Sequence, residues 1–265
     1  VSENPDFVSI RWREQVTQIE VQRIGWQRNA APVVVFLHEG LGSIAMWRDF
    51  PARLCDAAQF RGLMISRPGY GRSTPRPPDK LLEPDFMHQQ ALEVLPAVLD
   101  VMGVQQAWII GHSDGGSIAL LYGAHFPERV LGLVVVAPHI VVEDISLAAI
   151  AQARDAYQTG ALAEKLRRYH DDVDSAFWGW NQIWLDPAFR NWDIRAEISS
   201  ILCPVLAIQG LDDEYGTLQQ IRGIAAVVPQ TTLLELPDCG HSPHRDQTAK
   251  TIAAAVTFMQ RSAIG

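Results

Sequence analysis

Only three cysteines, Cys55, Cys203 and Cys239, occur among the 265 residues, and no two form a Cys-x-x-Cys pair. An odd number of widely spaced thiols supplies neither a disulfide framework nor a structural zinc site, and a reducing cytoplasm is the expected setting. Positive charge is scarce as well: 22 Lys and Arg stand against 30 Asp and Glu, for a net charge of −8. That is the wrong sign for a nucleic-acid surface, and no cluster of Lys or Arg reverses it locally. Apolar runs are short. A membrane-spanning helix needs about 18 residues, and the run at 130–138 falls far below that. Residues 1–13 lack a basic segment followed by an apolar core, so no secretory signal is expected. Repeats and low-complexity segments are absent, and nothing in the spacing calls for a metal or a cofactor.

What remains is an ordinary globular balance, 48% apolar and 20% charged, with enough apolar material for a sizeable core. Short apolar runs alternate with longer amphipathic stretches. Residues 16–24 (VTQIEVQRI) alternate apolar and polar side chains, as an outer antiparallel strand does. Residues 32–37 (PVVVFL) are continuously apolar, the pattern of a strand buried on both faces, and similar runs lie at 63–66, 107–110, 131–136, 205–208 and 232–236. Helices are expected between them, at 45–57, 85–102, 115–125, 217–228 and 248–261. The fold class is therefore α/β, a mostly parallel twisted sheet flanked by helices. From 139 to 199 the alternation stops, leaving helical periodicity and many aromatics. This segment is expected to form a helical lid inserted before the late strands, over the carboxyl ends where open α/β sheets bind ligands. The core is then 1–138 together with 200–265.

The most informative stretch is AWIIGHSDGGSIA, residues 107–119, which contains Gly111-His112-Ser113-Asp114-Gly115. A G-x-S-x-G pattern with an apolar strand leading in and a small-residue helix leading out marks a sharp turn that pushes the serine hydroxyl out of the sheet. The following helix aims free N–H groups at developing negative charge. A serine needs a base, and histidine suits that role near neutral pH. Of the eight histidines, His241 stands out because it follows the run at 232–236 through the Pro237-Asp238-Cys239-Gly240 turn. His244, three residues on, is the runner-up. The base needs an orienting carboxylate. Asp212 and Asp213 both follow the run at 205–208, and residue chemistry alone leaves the choice open; Glu143 and Asp144 are weaker rivals. Two N–H donors are also required for the oxyanion of acyl transfer. Asp114 supplies one, and the loop His38-Glu39-Gly40-Leu41-Gly42-Ser43 supplies the other, through Gly40.

The serine elbow, the Gly-rich loop, the acid loop and the late histidine, in the order Ser…Asp…His, resemble the α/β-hydrolase family over essentially the whole chain. Arg67-Pro68-Gly69-Tyr70-Gly71-Arg72-Ser73 looks like that family's turn after the strand preceding the elbow, and Gly240-His241 matches its usual pair before the final helix. Counting three residues from the strand-end Gly210, as the family commonly does, the resemblance implies Asp213 as the acid. In one respect the chain departs: the family's loop usually begins His-Gly, and Glu39 replaces that glycine. Glu39 is expected to bind a polar part of the substrate or to pair with an arginine such as Arg72. Trp178, Trp180 and Trp184, with Leu41, are expected to line the substrate pocket, since aromatics supply large apolar contact area. The function implied is a carboxylesterase-type hydrolase acting on a small, largely apolar molecule through an acyl-enzyme. A carbon–carbon hydrolase of ring-cleavage products is the nearest alternative, although those enzymes often carry Trp after the catalytic histidine where Ser242 stands here. A hydrolase-fold ligand receptor with little turnover is a third reading.

Overall fold

The computed structural model describes residues 6–77 and 80–262. Among the described residues, eight strands form one sheet in the order β1-β2-β4-β3-β5-β6-β7-β8. β1 (Asp6–Trp12) and β2 (Gln15–Ile24) form an antiparallel hairpin, and β2 runs antiparallel to β4 (Arg61–Ile65). From β4 onward the neighbours β3 (Val33–Leu37), β5 (Ala107–His112), β6 (Val130–Val136), β7 (Val205–Gly210) and β8 (Thr231–Leu236) are parallel. The expected outer strand at 16–24 is β2. Its partner β1 carries no strong sequence signal.

Period-two alternation explains the continuous apolar runs. In β3, Val33, Val35 and Leu37 join one apolar cluster and Val34 and Phe36 the other. β5, β6 and β7 split in the same way, so each strand is buried on both faces. On one face lie α1 (Phe50–Ala58) and, at the chain end, α11 (Thr248–Ser262), which supply Leu54, Cys55, Ala255 and Met259. The other face is covered by α2 (Phe86–Gln89), α3 (Leu95–Val101) and α4 (Asp114–His125), the first two joined by a single wide turn at Gln90–Val94.

Between β6 and β7 the chain forms α5 (Asp144–Gln158), α6 (Ala161–Leu166), α7 (Val173–Trp184) and the single-turn α8 (Arg195–Ile198), with one isolated bridge, Val141 to Asp193, and no strand. Phe177, Trp180, Ile183 and Trp184 of α7 belong to the same apolar cluster as one face of the sheet. After β7 come α9 (Gln219–Val227), then β8, and α10 (Pro243–Asp246) before the last helix. Among the described residues no helix is long and apolar enough to cross a membrane.

Register decides where the loops meet. Leu37 pairs with Gly111, His112 with Val136, Val136 with Ile208, and Gly210 with Leu236. The carboxyl ends of five parallel strands are thus level, and the loops starting at His38, Ser113, Ala137, Leu211 and Pro237 emerge side by side.

Candidate active site

Strand β5 ends at His112, and the chain turns through Ser113 directly into α4. Ser113 is held at φ 53° and ψ −121°, a conformation that costs a non-glycine residue about 1–3 kcal/mol. Close packing enforces it. A Cβ on Gly111 would lie 2.1 Å from the Gly115 carbonyl oxygen, and one on Gly115 would lie 2.1 Å from that of Leu37. Glycine at both positions lets β3, β5 and α4 approach this closely, which is the physical content of the G-x-S-x-G spacing. The N–H of Asp114, first in α4, has no acceptor within its own helix.

The loop after β8 carries His241, whose Nδ1 lies 2.8 Å from Oδ1 of Asp213. Asp213 is itself held: Oδ1 accepts the N–H groups of Tyr215 and Gly216 at 2.9 and 3.3 Å, and Oδ2 accepts Gln209 Nε2 at 3.0 Å. Burial pushes the Asp213 carboxyl up, but the bonds from His241 and the Tyr215 N–H outweigh it and hold the group below its ordinary range. An ionised carboxylate only accepts, so Nδ1 carries the hydrogen and Nε2 keeps a free lone pair. The rival acids are elsewhere. Asp212 is exposed, Glu143 accepts from Thr217, and Asp144 pairs with Arg190 on the surface. His244, the rival base, is buried with its ring 4.6 Å from that of His112 and 4.9 Å from Trp47, and burial holds its imidazole far below the usual value.

His112, which carries no special signal in the sequence, links these parts. Its Nε2 donates to the His241 carbonyl at 2.8 Å, and its Nδ1 lies 3.4 Å from Oε2 of Glu39. The residue before Ser113 thereby ties the loop that carries His241 to the loop after β3. The expected pairing of Glu39 with Arg72 is not found. The Glu39 side chain folds over Gly42, where an added Cβ would meet Oε2 at 2.4 Å, and so reaches His112. Arg72 is exposed, and its N–H donates to Glu20 at 3.1 Å. Burial raises the Glu39 carboxyl, yet the bond and charge of His112 hold it far below its ordinary value.

The loop after β3 is fixed from both sides. His38 Nε2 accepts the Arg67 N–H at 2.9 Å, so Nδ1 bears the hydrogen that goes to the Glu39 carbonyl at 2.7 Å. His170, from the segment between β6 and β7, accepts the Gly71 N–H at 3.0 Å and donates to the Leu41 carbonyl at 2.9 Å. No sequence pattern marked that clasp. Leu41 is half-buried and packs against the core. Gly40 sits directly under Trp180, where a Cβ would come within 2.2 Å of the indole nitrogen.

Trp184, one turn beyond Trp180, donates from Nε1 to Oδ1 of Asp114 at 3.2 Å. Asp114 is 1% exposed; burial pushes its carboxyl up to about 6, against the pull of Arg67 and the Trp184 bond. Trp184 also packs at 4.9 Å against His139, which lies 5.9 Å from the His241 ring and is pushed down to about 3 by burial and then by His241. Trp178 does not join them. It stands against Tyr157 and Phe177 and lines an outer depression with Leu81 and Asp172. The helical period accounts for this: 177, 180 and 184 share a stripe, and 178 is turned away from it. A cleft lined by Trp12, Tyr70, Arg76 and Leu82 opens between the loop after β4 and α7 and does not include Ser113.

The family profile of the alpha/beta hydrolase fold matches residues 32–174, a stretch that includes Ser113 and the loop after β3. The chain belongs to the α/β-hydrolase fold family. It is 32% identical to a zearalenone hydrolase of Cladophialophora bantiana over 110 residues, covering 40% of either chain. Over 237 residues, 78% of this chain and 80% of the relative, it is 23% identical to a 2-hydroxy-6-oxo-6-phenylhexa-2,4-dienoate hydrolase of Burkholderia cepacia. Among solved structures, one from a study of carboxylesterases of the thaumarchaeon Nitrososphaera gargenis superposes with a TM-score of 0.80 at 18% identity, covering 97% of this chain and 99% of that one. Such a likeness establishes the fold.

Proposed function

We propose that this α/β-hydrolase cleaves a carboxylic ester of a small, largely apolar molecule, with Ser113 as nucleophile, His241 as base and Asp213 as the orienting acid. The observation that carries the reading is the 2.8 Å contact of His241 Nδ1 with Asp213, at the sheet end where Ser113 is held at positive φ. In this reading Nε2 of His241 takes the Ser113 proton as Oγ attacks the ester carbonyl. The oxyanion is met by the N–H groups of Gly40 and Asp114. The tetrahedral intermediate collapses, the C–O bond breaks, and the alcohol leaves with the proton from His241. Water, deprotonated by the same imidazole, then attacks the acyl-enzyme and releases the acid. No step calls for a metal or a cofactor. Residues 139–199 act as the lid, with Trp180, Trp184 and Leu41 as apolar walls of the pocket.

The test is turnover of a p-nitrophenyl ester series together with labelling by a fluorophosphonate probe. The expected result is many turnovers per chain and a probe adduct mapped to Ser113. Labelling elsewhere, or stoichiometric release without turnover, tells against the reading, and the latter favours the ligand-receptor alternative. The similarity to the Burkholderia cepacia hydrolase keeps carbon–carbon cleavage as the second reading. A vinylogous diketone assayed beside the esters separates the two.

Gly40 yields a further expected result. Gly40→Ala forces its new methyl against Trp180 and shifts the donor, and misplacement on the order of 1 Å at a reacting centre costs roughly 100-fold. Ester turnover is expected to fall by about that factor, and Trp180→Ala in the same chain to recover part of it. Equal losses in the single and double variants would show that Trp180 is not the obstacle.

A further inference from the structure

Beside Ser113 two buried charges stand incompletely satisfied. Asp114 is 1% exposed and Arg67 is 3% exposed. The Trp184 indole occupies Oδ1 of Asp114, but among the described residues Oδ2 has no hydrogen-bond partner, and neither has Nε of Arg67. Their nearest approach, Arg67 Nη2 to Asp114 Oδ2, is 3.9 Å, beyond hydrogen-bond length. The guanidinium cannot simply close the gap, because Nη2 donates to the Glu39 carbonyl at 2.8 Å and the group lies 4.6 Å over the Tyr70 ring. A buried carboxylate oxygen without a donor is costly, and the sheet holds this one next to the proposed nucleophile.

We propose that Asp114 and Arg67 form a subsite that binds a hydroxyl group carried on the acyl chain of the substrate. The inference rests on the ester-hydrolase reading and narrows its substrate class. A carboxylate only accepts and a guanidinium only donates, so a guest serving both must donate and accept through one small group. A hydroxyl does this; an ether or ketone cannot donate to Oδ2, and an ammonium cannot accept from Arg67. The opposite charges of the pair offset each other, which suits a neutral polar guest better than an ion. The Trp184 indole, bonded to Oδ1, closes one side.

The experiment compares p-nitrophenyl 3-hydroxybutyrate, butyrate and 3-methoxybutyrate on the full chain and on Asp114→Asn. The readout is the ratio of kcat/KM between acyl groups within each variant, so any general change of rate cancels. The wild type is expected to favour the hydroxyl over both others by roughly tenfold or more, as a hydrogen bond to a charged acceptor does, and Asp114→Asn to reduce that ratio to about threefold or less. A second measurement does not depend on turnover: binding of methyl 3-hydroxybutyrate and methyl butyrate to Ser113→Ala, followed by tryptophan fluorescence, is expected to show the same preference. Equal binding of the two methyl esters, or a preference that survives Asp114→Asn, overturns the subsite and leaves the pair as a structural feature holding Trp184 and at most a water. Loss of ester turnover in the wild type with the binding preference retained rejects the hydrolase reading and keeps the subsite.

Discussion

Ser113→Ala is expected to lower kcat on p-nitrophenyl esters on the order of 10⁶-fold, while the circular dichroism spectrum and the thermal midpoint stay close to those of the parent. The effect is large because the residues of a triad act as a unit. In the proposed mechanism, without Oγ the His241–Asp213 pair has no proton to take, and only the N–H donors of Gly40 and Asp114 and substrate binding remain to stabilise charge. The fold should tolerate the change because alanine meets the same backbone demand at φ 53° that serine does, while Gly111 and Gly115 keep the close approach of β3, β5 and α4. Removing one hydroxyl thus separates chemistry from architecture. Turnover by the alanine variant within tenfold of the parent would mean that another group attacks the ester, and the assignment of Ser113 would fail.

The Asp213–His241 contact was only partly legible in the sequence. The buried strands could be read because each packs on both faces, leaving runs such as VVVFL at Val33–Leu37 with no polar interruption. β1 carries no such run, for the opposite reason. In DFVSIRW only Ile10 is buried, and its hairpin with β2 turns through Arg13 and Glu14, both at positive φ without a glycine to announce them. The expected helix at 45–57 begins later, at Phe50, because Arg48 breaks the run at φ 53°.

Within the site, adjacency in sequence says nothing about direction. Asp212 and Asp213 differ by which side chain the turn after β7 points inward, and that turn is closed by the N–H groups of Tyr215 and Gly216 on Oδ1 of Asp213. Glu39 reaches His112 rather than Arg72 because its side chain folds over Gly42, a choice made by three loops together. The three tryptophans of α7 could have been separated beforehand: spacing alone puts Trp180 and Trp184 on one stripe and Trp178 off it. His38 and His170 had no such signal, since the N–H groups they accept come from Arg67 and Gly71, one at the end of the next strand and the other a hundred residues away in the chain.

The same histidines predict a steep loss of stability in mild acid. His38, His139, His170 and His244 are all buried, and burial is the first cause that lowers each imidazole below its ordinary 6.5. The geometry agrees. Protonating His38 or His170 removes the lone pair that accepts a backbone N–H, and His139 and His244 each carry a buried Nδ1 with no partner among the described residues. The folded protein therefore refuses protons that the unfolded chain accepts as pH falls below 6.5, so stability falls with pH at about 1.4 kcal/mol per unit for each such group. Asp114 works the other way: its carboxyl, near 6 in the fold, takes up a proton there before it would in the unfolded chain, offsetting roughly one histidine above its unfolded value. Asp213 and Glu39 are held low, so their contribution is present at neutral pH and is lost only below the ordinary carboxylate range. His38, His139 and His244 stand well below the ordinary value, so toward pH 5 these three less the Asp114 offset leave a net of about two protons, on the order of 3 kcal/mol per pH unit, against a total stability of roughly 5–15 kcal/mol; His170 adds to the loss in the same direction. The urea midpoint is expected to fall continuously from pH 7 to pH 5. A midpoint that holds steady across that range would mean that these four imidazoles accept protons inside the fold, contrary to the hydrogen bonding around them.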